Sequence, residues 1–206
     1  MSSNRRIWIF TLVVLLIPLI IFQLSEIIRS KSSSLPVLGP DHHTIPDFSL
    51  TDHNGSEINL KGLGDKIIVA DFFFSYCPTI CPVMTSHVAE IQEVYAGDSR
   101  VGFVSFTVDP KRDTPERLRE FAKYYGADLN QWTFITGQKK ELYKLARNGF
   151  FLTAADGDGG PEDFIHSEKL ILIDREKRIR GYYDGTNSTH VERLIKDIDK
   201  LKKSRV

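Results

Sequence analysis

Apolar runs recur along the chain from about residue 45, and several of them have the pattern of β-strands. Residues 66–74 and 101–109 are almost continuously apolar, which is typical of strands that are buried on both faces of a sheet. Residues 132–137 predict a shorter strand. Residues 169–185 predict two further strands joined by a polar turn. The pattern therefore predicts a sheet with a buried centre.

Helical spacing of apolar positions predicts helices between and after these strands. Beginning at Pro82, apolar side chains three or four residues apart share one face as far as about Ala96. A second helix begins at Pro115 and extends to about Tyr125, since Thr114 is a capping residue ahead of a proline at the first helical position. The remaining predicted helices are residues 139–148 and 188–203.

The order of these elements predicts the fold class. Residues 47–60 alternate between apolar and polar around Asn54-Gly55, a dipeptide typical of a tight hairpin turn. Strands that alternate with helices follow this hairpin, and the chain closes with two strands and an amphipathic helix. We therefore expect an α/β fold, with a thioredoxin-like mixed sheet flanked by helices and an N-terminal hairpin.

The N-terminus has the pattern of a membrane anchor. Ile7–Leu24 is an 18-residue run without a charge, and Arg5 and Arg6 precede it. Such a run is long enough to cross a bilayer, and the two arginines favour a cytoplasmic N-terminus. We therefore expect a single transmembrane helix and a domain on the extracytoplasmic side, in the periplasm or an equivalent compartment. A cleaved signal peptide is the alternative.

These patterns divide the chain into three parts. An anchor at residues 1–29 is followed by a linker at residues 30–44, which is rich in Ser, Lys, Pro and Gly near its start. The globular domain is predicted at residues 45–206. A domain of this length can bury one hydrophobic core.

Charge and cysteine content exclude two classes of protein. Lys and Arg total 27 and Asp and Glu total 27, so the formal net charge is zero and no broad electrostatic surface for nucleic acid is expected. The chain has two cysteines, too few for a scaffold held together by disulfides. These cysteines are therefore candidates for chemistry.

Cys77 and Cys81 lie between a predicted strand and a predicted helix, and each directly precedes a proline. A residue before proline is disfavoured in the α region, and Pro82 suits a first helical position. We therefore predict Cys81 at the N-cap, where the helix dipole favours a thiolate, and Cys77 in the preceding loop. Two buried cysteines that act as small hydrophobic residues are the alternative.

A histidine could complete a metal site with two thiolates. His166 follows a Gly/Asp-rich loop and precedes a predicted strand, where it could face the cysteine loop. Two sulfurs and one imidazole suit copper, and zinc remains possible by ligand type. The other histidines are predicted to lie on the surface: His42, His43, His53, His87 and His190.

Three segments together resemble the Sco/SenC family of thioredoxin-fold copper proteins. They are FFFSYCPTICPVM at residues 72–84, VSFTVDPKRDTPERLREFAKYYGAD at 104–128 and FIHSEKLILID at 164–174. The resemblance extends over about residues 45–203 and includes the N-terminal anchor. By this resemblance, Cys77, Cys81 and His166 match the copper ligands of the family.

The resemblance implies a role in assembly of cytochrome c oxidase. The protein would supply copper to the binuclear copper centre of the copper-bearing oxidase subunit, or reduce its thiols, with other copper chaperones or thiol oxidoreductases as further partners. Ile165 stands where the family often has an aspartate, which puts a supporting interaction in doubt. Asp109 also matches a family position, although a turn carboxylate at a strand end is an equal interpretation.

A thiol-disulfide oxidoreductase without metal is the alternative function. Asp71 lies six residues before Cys77, a spacing at which thioredoxins have a buried carboxylate that assists proton transfer. An aspartate inside an apolar strand is costly unless it is hydrogen-bonded or protonated, so Asp71 is a candidate functional residue. A partly exposed strand residue is its other interpretation. The C-x-x-C spacing of thioredoxins is absent, as is their proline beside the strand near His166.

Overall fold

The computed structural model describes residues 35–41, 43–152 and 167–204, together with residues 8, 12, 14–18, 20 and 23. The chain divides into two compact units, Met1–Ser34 and Leu35–Val206. In the first unit the described residues are helical and exposed. Of the residues described, no stretch forms a helix long and apolar enough to span a membrane. The predicted anchor helix falls partly on residues outside the described ones, and it stays a prediction.

A mixed sheet forms the centre of the second unit. Among the described residues it has seven strands, in the spatial order β2-β1-β5-β4-β3-β6-β7. The strands are β1 (Leu50–Asp52), β2 (Glu57–Ile58), β3 (Ile67–Phe73), β4 (Val101–Thr107), β5 (Trp132–Thr136), β6 (Lys169–Ile173) and β7 (Ile179–Asp184). Strands β3, β4 and β5 are parallel, and the other pairs are antiparallel. This arrangement confirms the predicted mixed sheet and its N-terminal hairpin.

Four α-helices of the second unit are described. They are α1 (Ile80–Val94), α2 (Pro115–Tyr124), α3 (Lys139–Lys144) and α4 (Ser188–Lys203). The Thr114 hydroxyl accepts the backbone N–H of Arg117, so Thr114 caps α2 as predicted. Helix α3 continues into a π-helical turn at Leu145–Gly149, and the two together cover the predicted helix at residues 139–148.

Hydrophobic side chains pack on both faces of the sheet. Every residue of β3 and β4 is buried. Helices α1, α2 and α4 cover one face, where Met84, Phe121 and Leu194 belong to the same hydrophobic cluster as Phe73. Helix α3 covers the other face, where Leu142 and Phe150 belong to the same hydrophobic cluster as the side chains of β3 and β4 on that face. Helices on both faces explain why the two central strands have no polar face.

The segment that precedes the domain core is attached to strand β7. The Leu38 backbone N–H donates to the Ile179 carbonyl oxygen at 2.8 Å, which makes an isolated antiparallel bridge. The Arg180 guanidinium donates to the carbonyl oxygens of Leu35 and Pro36. Residues 35–38 of the predicted linker therefore lie on the edge of the sheet.

Gly185 joins the helix that carries Cys81 to strands β6 and β7. Its N–H donates to the Glu168 carbonyl oxygen at 2.7 Å, and its own carbonyl oxygen accepts the His87 ring N–H at 2.7 Å. A Cβ atom at this position would lie 2.6 Å from the Met84 side chain and 2.9 Å from the Leu170 side chain. Position 185 therefore requires a glycine, because there is no room for a larger side chain.

Gly185→Ala should destabilise the domain by ~1–3 kcal/mol, because an added methyl group in a filled core forces its neighbours to move. Urea unfolding followed by circular dichroism would measure the change. Gly62→Ala is the matched control, since its nearest neighbour would be a flexible Ile58 side chain at 3.3 Å. Equal unfolding midpoints for the two variants would contradict the packing argument.

Candidate metal centre

The two cysteines flank the start of helix α1. Strand β3 ends at Phe73, Cys77 lies in the loop that follows, and α1 begins at Ile80. Cys81 is the second residue of the helix, so the prediction that it caps a helix beginning at Pro82 is wrong. The helix accommodates Pro82 because the first four N–H groups of a helix have no partner within it, and the missing N–H of proline leaves no helical bond unmade.

Cys77 lies against the free N–H groups of the helix start. The Cys81 backbone N–H donates to the Cys77 sulfur at 3.4 Å, and the Cys77 N–H donates to the Phe74 carbonyl oxygen at 3.2 Å. Burial alone would raise the pKa of the Cys77 thiol, but the backbone N–H groups of Cys81, Thr79 and Ile80 together bring this pKa below its ordinary value. Cys77 is the thiol with the greater thiolate character.

Cys81 has the opposite electrostatic setting. Its side chain is 3% exposed, and burial raises the pKa of its thiol to about 12, with a further contribution from Cys77. The prediction that the helix dipole favours a thiolate at Cys81 is therefore wrong, since the free N–H groups face Cys77. Both cysteines are free thiols, and they are close enough for each side chain to affect the pKa of the other. Two sulfurs in contact can share a disulfide or a soft metal ion.

Asp71 lies in the core on strand β3. It is 3% exposed, so the interpretation of a partly exposed strand residue is wrong. The Ser105 hydroxyl donates to its carboxyl oxygen at 2.5 Å, and the Trp132 indole N–H donates to the Ser105 hydroxyl oxygen at 2.8 Å. Burial raises the pKa of Asp71 to about 7, against the opposing effect of the Ser105 hydrogen bond. Asp71 also contributes to the raised pKa of Cys81, so the two groups are within electrostatic range.

A buried carboxylate beneath the cysteine loop was not predicted from the sequence. Asp113 is fully buried and accepts hydrogen bonds from the Ser75 N–H at 3.1 Å and the Ser75 hydroxyl at 2.5 Å. The Thr107 hydroxyl also donates to it, at 2.5 Å. The only sequence signal was a position just before a helix cap, which by itself predicts a surface turn.

Two arginines lie near the ring of Tyr76, the residue before Cys77. The guanidinium groups of Arg112 and Arg117 lie 5.1 Å and 4.9 Å from the centre of its ring, and the ring is 54% exposed. Arg112 also forms an ion pair with Asp109. The Asp109 carbonyl oxygen accepts the N–H groups of Arg112 and Asp113, so Asp109 has the turn role that was one of its two interpretations.

The third predicted ligand, His166, lies outside the described residues, as does Ile165. Among the residues that are described, no group of three or more His, Cys, Asp or Glu side chains could hold a metal ion. The structure therefore brings together the two predicted sulfur ligands, and the assignment of His166 stays a prediction.

Of the other four histidines that the structure describes, one contradicts its predicted surface position. His53 is 3% exposed, because its ring packs against Phe134 and accepts the Phe134 N–H at 3.3 Å, so its predicted solvent exposure is wrong. His43 is half-buried and contacts the Gly149 carbonyl oxygen. His87 is half-buried at the Gly185 junction, and His190 is exposed as predicted. His42 lies outside the described residues.

Comparison with known proteins identifies the family. The family model for SCO1/SenC matches residues 38–203. The chain belongs to the SCO1/SenC family. The crystal structure of a SCO1/SenC family lipoprotein from Bacillus anthracis is similar at 30% identity and a TM-score of 0.70, covering 82% of this chain and 100% of that chain. The thioredoxin-like fold of the SCO1/SenC family is thus confirmed.

Two further similar proteins carry functional descriptions. BsSco, a member of the Sco family of cytochrome c oxidase assembly proteins in which a disulfide switch was identified, is 27% identical with a TM-score of 0.68, and the match covers 82% of this chain and 99% of that chain. A putative copper-binding protein of Stutzerimonas stutzeri is 28% identical over 149 residues, covering 71% of this chain and 72% of that protein.

Cys77 should react with iodoacetamide about tenfold faster than Cys81 at neutral pH, because the thiolate attacks and only Cys77 has a lowered pKa. Peptide mapping by mass spectrometry at increasing reaction times would measure both rates. The same protein in urea is the control, since the two rates should become similar there. Faster modification of Cys81 in the folded protein would contradict the assignment.

Asp71→Asn should flatten the pH dependence of stability between about pH 4 and pH 7. Asp71 keeps its proton in the folded state up to about pH 7, whereas the unfolded chain releases it near 3.8. The free energy of unfolding should therefore fall as pH rises through this window, by at most ~4 kcal/mol, and level off above it.

Urea unfolding of both proteins at several pH values would test this expectation. The free energy of unfolding of Asp71→Asn, relative to that of the unchanged protein, should increase from pH 4 to pH 7. Parallel curves would show that burial does not raise the pKa of Asp71.

Proposed function

We propose that this protein is a membrane-anchored copper metallochaperone that assists assembly of the copper centre of cytochrome c oxidase. The observation that carries the proposal is the hydrogen bond from the Cys81 N–H to the Cys77 sulfur at 3.4 Å, which brings two free cysteines together at the start of α1. This arrangement presents two soft ligands from one short loop. The name of the Stutzerimonas stutzeri relative supports copper as the metal.

Three residues would hold the copper ion. Cys77 and Cys81 supply thiolates, and binding of the metal displaces the proton from the buried Cys81 thiol. His166 supplies an imidazole, by its match to the family motif. Two sulfurs and one nitrogen suit copper better than hard cations, and a three-ligand site leaves a position open for transfer to the recipient.

The oxidation state of the cysteine pair would control loading. A Cys77–Cys81 disulfide has no thiolate to offer, so the metal can bind only after the disulfide is reduced. The disulfide switch described for BsSco supports this gating. Copper delivery would therefore depend on a thiol reductant in the same compartment.

The recipient would be the copper-bearing subunit of cytochrome c oxidase. The description of BsSco as a cytochrome c oxidase assembly protein supports this assignment. Other copper chaperones or thiol oxidoreductases would load or reduce the site. An N-terminal helix at residues 1–29 would hold the domain at the extracytoplasmic face of the membrane, and the lipoprotein relative from Bacillus anthracis supports attachment to a membrane.

A thiol-disulfide oxidoreductase is the second candidate, and the unequal thiols favour it. The Cys77 thiolate would attack a substrate disulfide, forming a mixed disulfide and releasing one substrate thiolate. Cys81 would then attack the Cys77 sulfur, which releases the second substrate thiolate and leaves a Cys77–Cys81 disulfide. Asp71 could accept the proton of Cys81 in this second step, since its pKa is about 7.

The reduced protein should bind one equivalent of Cu(I) tightly under anaerobic conditions, and the Cu(II) form should show a sulfur-to-copper charge-transfer band. Competition with a chelator would measure the affinity. Oxidation of the cysteines, or the double variant Cys77→Ser and Cys81→Ser, should abolish competitive binding because no thiolate remains.

His166→Ala should weaken copper binding and shift the charge-transfer band without unfolding the domain. His190→Ala is the matched control, since His190 is exposed on α4. Unchanged affinity and spectrum for His166→Ala would remove His166 from the ligand set. If the reduced protein does not compete for copper but reduces disulfides in an Asp71-dependent manner, the oxidoreductase is the correct function.

A further inference from the structure

Ser75 connects the cysteine loop to the buried Asp113 carboxylate. Two of the three hydrogen bonds that Asp113 accepts come from Ser75, one from its backbone N–H and one from its hydroxyl. The Ser75 hydroxyl oxygen also accepts the Arg117 Nε–H at 3.1 Å. The hydroxyl therefore donates to a carboxylate on one side and accepts from a guanidinium on the other.

The hydrogen bonds of Ser75 restrict the position of the cysteine loop. Asp113 is 0% exposed, so water cannot replace a lost donor at its carboxylate. A displacement of Ser75 would leave the buried carboxylate with the Thr107 hydroxyl as its remaining donor among the hydrogen bonds described. Ser75 is thus fixed relative to the loop that follows β4.

The restriction extends to Cys77, which is two residues further along the loop. The Cys77 N–H donates to the Phe74 carbonyl oxygen, so residues 74–77 form one tight turn with Ser75 inside it. The Cys77 sulfur lies against the Cys81 N–H on the opposite side. A turn that is attached at Ser75 therefore leaves the Cys77 sulfur little freedom to move away from Cys81.

We propose that Ser75 and Asp113 are positioning residues that hold the Cys77 sulfur beside Cys81. Neither residue contacts the metal in this role. Both reactions of the sulfur pair, binding one copper ion and closing one disulfide, need the two sulfurs together, and prior orientation lowers the entropic cost of each. For copper this inference rests on the proposed function, whereas for the disulfide it does not.

Ser75→Ala tests the inference because it removes only the hydroxyl that links Asp113 to Arg117. Thr107→Val is the matched control, since it removes the remaining hydroxyl donor of the same carboxylate from β4 rather than from the cysteine loop. Ser75→Thr keeps a hydroxyl at the half-exposed position 75 and should restore the bonds. The stability of each full-length variant is measured by urea unfolding.

Two measurements follow on the same proteins. The first is competition for Cu(I) with a chelator under anaerobic conditions. The second is equilibration of the cysteine pair with glutathione, in which the two protein thiols are oxidised to a disulfide as one glutathione disulfide is reduced to two glutathione thiols. Ser75→Ala should weaken Cu(I) binding about 10- to 100-fold and lower the equilibrium constant for protein disulfide formation about tenfold, or ~30 mV.

Ser75→Thr should stay close to the unchanged protein in both measurements. Thr107→Val should lower stability as much as Ser75→Ala while it changes both constants less than about threefold. Equal effects of Thr107→Val and Ser75→Ala on the two constants would overturn the proposal and leave only a role in stability. If the unchanged protein binds no copper, the proposed function fails, and the glutathione equilibrium alone decides whether Ser75 positions Cys77.

Discussion

Parallel pairing of β3 with β4 determines where the functional loops lie. The register places Phe73 opposite Thr107 at the carboxyl ends of the two strands, and the Val108 N–H bond to the Phe73 carbonyl oxygen, at 2.8 Å, continues the pairing. Because parallel strands end at the same edge of a sheet, the cysteine loop leaves β3 beside the loop that carries Asp113. The contact between Ser75 and Asp113 is thus a product of sheet register, and burial of both strands maintains that register.

The two cysteines have different electrostatic environments although they are only four residues apart. Both cysteines belong to the hydrophobic core cluster, but the Cys77 sulfur accepts the Cys81 backbone N–H, whereas burial raises the pKa of the Cys81 thiol. Cys77 has the lower pKa and is the thiol that reacts first. Cys81 gives up its proton only when its sulfur binds a metal ion or forms a disulfide. Such inequality suits a site that must accept a ligand and later release it.

Patterns of side-chain type predicted the elements, but not the contacts between distant segments. The apolar runs of β3 and β4 and the amphipathic α4 are visible in the sequence because burial requires them. The start of α1 was misplaced by two residues, since a rule about the residue before proline was given more weight than the tolerance of a first helical turn. His53 and Asp113 appear polar in isolation, and only packing against Phe134 and Ser75 reveals their burial.

The bridge from Leu38 to Ile179 has a consequence for self-association. Strand β7 is the last strand of the sheet, and its outer edge would otherwise offer unpaired N–H and C=O groups to another chain. Leu38 and the Arg180 contacts to Leu35 and Pro36 occupy part of that edge. The opposite edge is β2, which has only two residues, one of them Glu57. In the part of the chain that the structure describes, both ends of the sheet are thus poor templates for intermolecular β-pairing.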